Sequence, residues 1–336
     1  MRTPEFWYAS TRPASTHVLA RALTPLGGLI RLAGCLRAGL TRPWQALVPV
    51  LCIGNAVAGG AGKTPVALSL GRRLIERGRK PHFLVRGYGG ALRGPVRVDP
   101  ARHTSADVGD EALLLARTAP TWVARNRRRG CQAAVLDGAD LIVMDDGLQN
   151  PSVRKTVSIL VADGTFGFGN HCLLPAGPLR EPLEQALARV DAVAIVGSDQ
   201  AGIAAEVRRI DPATPILHGR VVPGPDADRL PGQRVVAFAG IGLPEKFFAL
   251  LRRIGCDVAA THAFADHHAY TAQDIAALRD EAGAANARLI TTEKDAARLS
   301  AESRQGMIVL PISVSWQDDG AIDGILDKLF SDPLRP

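Results

Sequence analysis

The sequence has few aromatic residues and few cysteines. Aromatic residues make up 5% of the 336 residues, which leaves few rings on which nucleic-acid bases could stack. The five cysteines are scattered and form no C-x-x-C pair, so we expect neither a disulfide framework nor a zinc ribbon. They are instead expected to be thiols in a reducing compartment.

The sequence also has no long apolar run that is free of charge. Its most apolar stretch near the N-terminus, residues 18–40, is interrupted by three arginines, Arg21, Arg31 and Arg37. A helix that spans a bilayer needs about 20 residues with few or no charges, so spanning is not expected. A secretory signal is also a poor match, because the same arginines break its apolar region.

The net charge of +7 is concentrated at the N-terminus. Residues 1–50 contain six arginines, no lysine and one acidic residue, which gives +5 and leaves +2 for the rest of the chain. A nucleic-acid-binding protein is expected to spread its basic residues over a folded face, so this distribution does not favour a nucleic-acid partner.

We expect residues 1–45 to form a helical segment that lies in a membrane interface. A pair of helices would place leucines at the acyl boundary and arginines among anionic head groups, with Trp7, Tyr8 and Trp44 as aromatic anchors. A helix that packs on the protein's own core is the alternative. The residues expected to enter the membrane are Leu19, Leu23, Leu26, Leu29, Ile30, Leu32 and Leu36.

After Pro43, short apolar runs alternate with helical patterns. This alternation is typical of an α/β fold with a mostly parallel sheet and helices on both faces. The predicted strands are 48–55, 82–87, 141–145, 159–163 and 192–197, and the predicted helices are 64–77, 110–118 and 181–189.

Residues 222–233 are rich in proline, glycine and charge, which predicts a linker between two domains. A P-loop domain would then cover residues 46–221, and a smaller α/β domain would cover residues 234–336. In the second domain we predict strands over 235–239, 258–264, 289–292 and 308–312, and helices over 245–253 and 272–282.

A phosphate-binding loop follows the first predicted strand. Glycines let the backbone turn its N–H groups towards a phosphate, Lys63 reaches the β- and γ-phosphates, and Thr64 offers a hydroxyl to Mg²⁺. The strict G-x-x-x-x-G-K-[ST] pattern has glycine where this chain has Val57, so the doublet Gly59-Gly60 is expected to supply the flexibility. The residues expected to bind the nucleotide are Val57, Ala58, Gly59, Gly60, Ala61, Gly62, Lys63 and Thr64.

A P-loop enzyme holds its metal with an acid at the end of a neighbouring strand. Asp145 and Asp146 follow the buried run 141–144 and would repel each other unless a cation lay between them. Asp163 ends a similar run but stands alone, and is expected to be a capping or turn residue.

Several motifs occur together in a characteristic order. They are G-G-A-G-K-T at 59–64, R-G-Y-G at 86–89, G-D-E at 109–111, D-D-G-L-Q at 145–149, G-P-L-R-E at 177–181, D-H-H at 266–268 and T-T-E-K-D at 291–295. In this order and spacing the sequence resembles the tetraacyldisaccharide 4'-kinase family along essentially its whole length.

The resemblance implies an ATP-dependent lipid kinase of lipid A biosynthesis. Its members transfer the γ-phosphoryl group to the 4'-hydroxyl of tetraacyldisaccharide 1-phosphate at the cytoplasmic face of the bacterial inner membrane. The implied reactants are ATP, Mg²⁺ and that lipid, with an anionic membrane surface as the partner of the N-terminal segment.

The resemblance also implies roles for single residues. Asp110 matches the catalytic aspartate and His267 its partner from the second domain, paired when the domains close, while His268 stays open as the alternative. Glu181 would complete the metal shell with Thr64, Asp145 and Asp146, or would instead stabilise the first turn of the following helix. The implied substrate contacts are Tyr88, Arg127, Gln149 and Arg180, and residues 291–295 would contact the nucleotide base or form a helix cap.

Two other functions compete with this interpretation. A membrane-associated partition or positioning P-loop ATPase shares the glycine doublet, but Ala58 stands where that class has its signature lysine. A nucleic-acid-dependent NTPase is disfavoured by the charge distribution and by the shortage of aromatic residues.

Overall fold

The computed structural model describes residues 4–8 and 14–331. Residues 1–3, 9–13 and 332–336 lie outside the described part, and so do the predictions that concern them at the ends of segment 1–45 and of domain 234–336. The side chains of Leu19 and Leu29, which were predicted to enter the membrane, also lie outside it.

The larger of two sheets forms the centre of the first domain. Numbered along the whole chain, its strands in the described residues are β1 (Val50–Gly54), β2 (Pro81–Val85), β3 (Val96–Arg97), β4 (Thr121–Val123), β5 (Leu141–Asp145), β6 (Val157–Asp163), β7 (Ala192–Val196), β8 (Ile216–Pro223) and β13 (Ile312–Trp316). The order is β13-β8-β7-β6-β1-β5-β2-β4-β3, and only the edge strands β13 and β3 run antiparallel to their neighbours. The predicted mostly parallel sheet is confirmed.

The smaller sheet belongs to the second domain and is parallel throughout. Its strands are β9 (Arg234–Ala239), β10 (Asp257–Ala263), β11 (Arg288–Thr292) and β12 (Ile308–Leu310), in the order β10-β9-β11-β12.

The helices of the described residues lie along the edges and faces of these sheets. They are α1 (Ala14–Leu40), α2 (Lys63–Glu76), α3 (Ser105–Val108), α4 (Asp110–Ala116), α5 (Arg127–Leu136), α6 (Leu183–Leu187), α7 (Ile203–Ile210), α8 (Pro244–Arg253), α9 (Ala272–Ala284), α10 (Glu293–Ala296), α11 (Ala301–Arg304) and α12 (Asp319–Ser331).

Alternate strand residues of the larger sheet face two different cores. On one face, β1 residues Leu51 and Ile53 join a cluster with α2, α4 and α12. On the other face, Cys52 packs in a cluster with α6 and α7, and Val50 packs in one with α5. A strand buried on both faces reads as a continuous apolar run, which is why periodicity predicted these strands.

The C-terminal boundary of the second domain differs from the predicted one. The run 308–312 was predicted as one strand, but Pro311 separates β12 in the smaller sheet from β13 in the larger sheet. Strand β13 pairs with β8, and α12 packs in the core of the first domain. Residues 312–331 therefore belong to the first domain, because their apolar side chains complete its core.

The region predicted as a linker also differs. Strand β8 extends to Pro223, and a 3-10 turn covers Pro225–Arg229. The chain leaves the first domain beside the point where it returns, since the Gly224 amide donates a hydrogen bond to the Pro311 carbonyl at 2.8 Å.

The N-terminal segment forms one helix rather than the predicted pair, because Pro25 lies inside α1 without ending it. Gly27 is buried, and a β-carbon there would lie 3.1 Å from Cβ of Leu173. The remaining large apolar side chains that the structure describes as exposed on α1 are those of Leu26, Ile30, Leu32, Leu36 and Leu40. No helix in the described part of the chain is long and apolar enough to cross a bilayer.

The aromatic residues that flank α1 contact the first domain and are half-buried, and their role as membrane anchors stays a prediction. The Trp7 indole donates to the Pro175 carbonyl at 3.2 Å, and the Tyr8 ring lies 5.1 Å from the Phe166 ring. Trp44 forms a β-bridge with Val153. The Tyr8 ring therefore has an apolar partner in Phe166, and Trp44 packs against the cluster around α5.

Candidate active site

The loop between β1 and α2 has the form of a phosphate cradle. It is fixed on one side by the segment 178–180, because the Ala58 amide donates to the Pro178 carbonyl and the Arg180 amide donates to the Ala56 carbonyl, at 2.7 and 2.8 Å. Gly59 and Gly62 have φ of 118° and 81°, a region that favours glycine. The loop therefore bends at Gly59, one residue of the predicted doublet, and at Gly62, whereas Gly60 has no positive φ.

The departure from the strict motif at Val57 has a structural reason. Val57 is buried and forms an antiparallel bridge with Leu179, so its backbone is extended there and needs no glycine. The Asn55 side chain closes the loop from inside, with Nδ2 donating to the Gly59 carbonyl at 3.4 Å.

Helix α2 begins at Lys63, which places Lys63 and Thr64 at the positive end of the helix. The Thr64 hydroxyl donates to Oδ2 of Asp145 at 3.1 Å, and Nζ of Lys63 lies 3.6 Å from Oδ1 of Asp146. Strand pairing causes this, because Ile53 of β1 lies in register with Asp145 of β5. The structure thus brings together the predicted loop and the predicted acids.

The two adjacent aspartates have opposite electrostatic environments. Burial, and next the charge of Glu111, raise the pKa of Asp145 to about 7 against the lowering effect of Lys63. Burial also raises the pKa of Asp146, but Lys63 and Arg180 outweigh it and hold that pKa below its usual range. Asp145 is therefore the carboxylate that gains most from an added cation.

The residues at this point fit a magnesium ion. Oδ1 of Asp145 is buried and has no hydrogen-bond partner among the described residues, and Thr64 lies beside the same carboxylate. No cluster of three or more acidic, histidine or cysteine side chains surrounds a cation position in the described residues. Mg²⁺ typically takes one or two carboxylates with waters and phosphate oxygens, so a small set is sufficient.

Glu181 does not join this set. Its carboxylate forms an ion pair with Arg189 and accepts a hydrogen bond from Nε2 of Gln149 at 3.0 Å. Gln149 also donates to the Asn55 carbonyl at 2.8 Å, and Arg180 donates to Oδ1 of Asp146 at 3.1 Å. Gln149, Arg180 and Glu181 therefore brace the loop and Asp146.

Asp110 and His267 are in contact across the two domains. Nδ1 of His267 lies 3.0 Å from Oδ2 of Asp110, and the Glu111 amide donates to Oδ1 of Asp110 at 2.8 Å. Burial raises the pKa of Asp110, but the hydrogen bond of His267 and the charges of Lys294 and Arg298 bring it well below its usual range. Asp110 is thus an ionised carboxylate that orients the imidazole.

His268, the open alternative, lies elsewhere. Its Nε2 is 3.1 Å from Oδ2 of Asp274, and its ring stacks on Phe264 at a centroid distance of 4.8 Å. The exposed Tyr88 ring lies near His267 and not near His268, with 5.2 Å between the ring centroids of Tyr88 and His267.

Arg127 is buried at 3% exposure, and its Nη1 donates to the Ala124 carbonyl at 2.7 Å. It nevertheless lines an open cavity of about 310 Å³ with Thr41, Arg125 and Asn150. This cavity lies where the chain leaves α1.

Residues 291–295 cap a helix and join the two domains. Thr292 caps α10, with its hydroxyl accepting from the Asp295 amide at 3.1 Å. Nζ of Lys294 lies 3.2 Å from Oε1 of Glu111 in the first domain. The cap is therefore confirmed, Lys294 adds an interdomain ion pair, and the contact with a nucleotide base stays a prediction.

Arg298 lies outside the motifs that predicted the site, yet its guanidinium donates hydrogen bonds to Asp110, Gly240 and Asp295. Its Nε donates to Oδ2 of Asp110 at 2.7 Å, and its Nη1 donates to the Gly240 carbonyl at 2.8 Å. Its position three residues after Asp295, one helical turn on, was the signal that could have found it.

Two further contacts hold the second domain against the first, one at the end of β6 and one at the nucleotide loop. Nζ of Lys246 lies 2.6 Å from Oδ2 of Asp163, whose Oδ1 also accepts from the Thr165 amide in a turn. A β-carbon at Gly242 would lie 3.6 Å from the Gly60 nitrogen, so small residues permit a close approach. The site is therefore enclosed by both domains.

Comparison with known proteins identifies relatives over nearly the whole chain. Residues 19–331 match the model of the tetraacyldisaccharide-1-P 4'-kinase family. The chain is 50% identical to the tetraacyldisaccharide 4'-kinase of Rhodospirillum centenum over 332 residues, 98% of this chain and 97% of that protein. It is 52% identical to that of Parvibaculum lavamentivorans over 300 residues, 89% and 87% of the two chains.

A solved structure shares the fold. The "apo" form of LpxK from Aquifex aeolicus in complex with ATP superposes with a TM-score of 0.71, and the match covers 93% of this chain and 99% of that one. The two sequences are 22% identical, so this likeness concerns the fold alone.

Proposed function

The chain belongs to the tetraacyldisaccharide-1-P 4'-kinase family, and from this membership and the geometry of the site we propose its reaction. It transfers the γ-phosphoryl group of ATP to the 4'-hydroxyl of tetraacyldisaccharide 1-phosphate. One observation carries the proposal: the Asp110–His267 pair and the phosphate loop meet at one site, because a β-carbon at Gly242 would lie 3.6 Å from both the Gly60 nitrogen and Oδ2 of Asp266, the neighbour of His267. The partition ATPase is set aside, since family membership and the missing lysine at Ala58 both argue against it.

The phosphate end of the site binds and neutralises the transferred group. Phosphoryl transfer depends mainly on positioning and charge neutralisation. The loop amides and Lys63 would hold the β- and γ-phosphates, while Thr64 and Asp145 would hold Mg²⁺, which supplies positive charge to the phosphate oxygens. Asp146 keeps Lys63 in place, and Arg180 keeps Asp146 in place.

The other end of the site accepts the proton of the attacking hydroxyl. The Asp110 side chain is 3% exposed and the His267 side chain is 26% exposed, so the imidazole is the member that can meet the substrate. With Nδ1–H donated to Asp110, Nε2 carries the lone pair that can accept a proton, and Oδ2 of Asp266 lies 3.9 Å from it, beyond hydrogen-bond distance. We therefore assign proton acceptance to Nε2 of His267 and orientation of the ring to Asp110.

The lipid is proposed to approach along α1 towards Tyr88 and Arg127. Tyr88 is 68% exposed beside His267, which suits a contact with the sugar. Arg125 and Arg127 line the cavity at the end of α1, which suits a phosphate. Gln149, Arg180 and Glu181 act on these groups indirectly, through the loop and Asp146.

The reaction is tested directly with the purified chain. We expect labelled phosphate to pass from γ-labelled Mg-ATP to tetraacyldisaccharide 1-phosphate in detergent micelles, and Asp110→Asn to abolish the transfer. Arg234→Gln, which alters an exposed ion pair with Asp257, is the control that should retain it. Label that appears only as free phosphate would contradict the proposal.

The exposed leucines of α1 are proposed to hold the protein on the cytoplasmic face of an anionic inner membrane. A substrate with four acyl chains stays in the bilayer, so the site must be kept at its surface. The exposed Arg31 supplies positive charge within the apolar stretch, and the exposed Arg42 supplies it just after the stretch.

This membrane role predicts a loss of vesicle binding on changing α1. Leu32→Gln with Leu36→Gln should lower the affinity for anionic liposomes by about 100-fold or more in a sedimentation titration, since each buried leucine contributes roughly 1.5–3 kcal/mol and about 1.4 kcal/mol is tenfold in affinity. Leu136→Gln is the matched control, because Leu136 is 89% exposed on α5. Equal binding by both variants would remove α1 from the interface.

A further inference from the structure

Arg298 occupies an unusual position for a cation outside the known motifs. It follows α10 in the second domain, and its side chain is only 5% exposed. A buried guanidinium is costly unless its donors are satisfied. Where those donors go therefore indicates what the residue does.

Towards the first domain, Arg298 meets the carboxylate that orients His267. Its Nε donates to Oδ2 of Asp110 at 2.7 Å, and its Nη2 lies 2.6 Å from the same oxygen. Nδ1 of His267 approaches that oxygen too, at 3.0 Å. The arginine and the imidazole thus share one acceptor atom.

Towards its own domain, Arg298 holds the backbone that carries His267. Its Nη1 donates to the Gly240 carbonyl at 2.8 Å, and the His267 amide donates to this same carbonyl at 3.1 Å. His267 has φ of 58°, which is uncommon for a residue with a side chain and needs support from its surroundings.

Asp295 stabilises this arrangement by accepting three hydrogen bonds. Its Oδ1 accepts hydrogen bonds from Nη1 of Arg298, the Gly240 amide and the Tyr270 hydroxyl, at 3.0, 2.9 and 2.8 Å. Gly240 is therefore held by hydrogen bonds at both its backbone N–H and its carbonyl oxygen. A displacement of Arg298 would therefore also displace the Gly240 carbonyl, which accepts the hydrogen bond of the His267 amide.

We propose that Arg298 is a positioning residue of the phosphoryl transfer, which fixes Asp110 and the His267 turn in register across the two domains. The proposal rests on the proposed function, because it assigns a role in that reaction. Arg298 itself does not touch the substrate. It acts by keeping Nδ1 of His267 against Asp110 and so directing Nε2 into the site.

Arginine is required here because one side chain must donate hydrogen bonds to Asp110 of the first domain and to Gly240 of the second domain at the same time. Nε donates to Asp110 while Nη1 donates to Gly240 and Asp295, and Nη2 lies near Oδ2 of Asp110 without an aligned hydrogen bond. A lysine has one compact ammonium on a flexible stem and cannot form this planar fork. Arg298→Lys therefore keeps the charge and loses the bridge.

The first test compares Arg298→Lys with Arg234→Lys in the lipid-labelling assay. Arg234 also joins a carbonyl and a carboxylate in the second domain, those of Ala285 and Asp257, but on the surface. We expect kcat of Arg298→Lys to fall about 100-fold, as a misplaced catalytic group does. KM for ATP should stay within about twofold, since the nucleotide loop is unchanged. A kcat equal to that of Arg234→Lys would overturn the proposal.

A second readout separates positioning from a loss of folded protein. Asp110 faces His267, Lys294 and Arg298, so Arg298→Gln removes one of three groups that lower its pKa. Asp110 should then take up a proton at a higher pH and stop accepting from Nδ1 of His267, which moves the acid limb of the kcat profile to higher pH. Arg298→Lys keeps the charge and should move it less. A purely structural role would reduce the active fraction without moving the limb.

A third readout does not depend on activity. We expect hydrogen exchange of a peptide covering residues 264–271 to be faster in Arg298→Lys than in Arg234→Lys, because the His267 amide loses its fixed acceptor. Equal exchange would overturn the bridge even if kcat fell. Should the wild-type protein label no lipid, the proposed function fails, while this exchange comparison still decides whether Arg298 holds the turn.

Discussion

The phosphate end of the site and its proton-accepting end are built in different ways. Lys63 and Thr64 follow β1 directly, and their acidic partners stand at the end of the adjacent strand β5. Asp110 and His267 are 157 residues apart and come from different domains. The first end is fixed by the sheet of one domain, whereas the second exists only while two domains are held together.

This difference teaches where each end is vulnerable. The parallel sheet and the contacts of segment 178–180 fix the phosphate loop whatever the second domain does. The proton-accepting end depends on a few charged contacts, chiefly Arg298 with Asp110 and Lys294 with Glu111. We expect changes at the first end to remove binding and chemistry together, and changes at the second end to remove chemistry alone.

The largest effect is expected at the phosphate end. Lys63→Ala should lower kcat/KM about 1000-fold, since it removes a positive group aimed at the transferred phosphate. ATP affinity should fall as well, because the loop loses its cation. Steady-state kinetics of lipid labelling measure both quantities. The exposed Lys80→Ala is the control, and a variant at Lys63 with the control's kinetics would break the comparison.

A smaller effect, on kcat alone, is expected at the proton-accepting end. His267→Gln should lower kcat about 100-fold, as the loss of a general base does, with KM for ATP nearly unchanged. His268→Gln should keep kcat within about threefold, because His268 lies against Asp274 instead. Similar losses in both variants would show that the pair is not the one the geometry indicates.

The smallest effect concerns stability. Asp110→Asn should lower the free energy of unfolding at pH 7 by about 2 kcal/mol, because a buried carboxylate that accepts charged hydrogen bonds is lost. The folded pKa of Asp110 lies below its usual range, so this stabilisation is present above the unfolded pKa and disappears as the pH falls through the folded value. Urea unfolding at pH 7 and near pH 3 should show the wild-type advantage shrinking. An advantage that is equal at both pH values would contradict the ion pair.

The same comparison explains how much the sequence could predict. Apolar runs buried on both faces predicted β1, β5 and β7 to within two residues, and the α/β class followed from their alternation with helices. Short edge strands such as β3 bury little apolar surface, so periodicity gave no signal for them. Pro311 ends one strand and precedes another, which composition alone could not divide between two sheets.

At the site, local motifs predicted the phosphate end from adjacent residues. The pairing of Asp110 with His267 rested on family resemblance, because no periodicity links residues so far apart. Glu181 was predicted at the metal and lies instead against Arg189, a residue eight positions on that the motif did not include. Arg298 was missed for the same reason, since its function is defined by contacts across the domain boundary.

The meeting of Gly224 and Pro311 has a consequence for how the molecule can be cut. Because β13 and α12 complete the first domain, residues 225–311 form an insertion between two chain ends that a single 2.8 Å hydrogen bond joins. An insertion with adjacent ends can be excised and the gap closed by a short turn. The remaining polypeptide would keep its nine-stranded sheet and its phosphate loop, and would lose His267 and Arg298. Nucleotide binding therefore belongs to the first domain, while proton acceptance depends on the inserted residues 225–311.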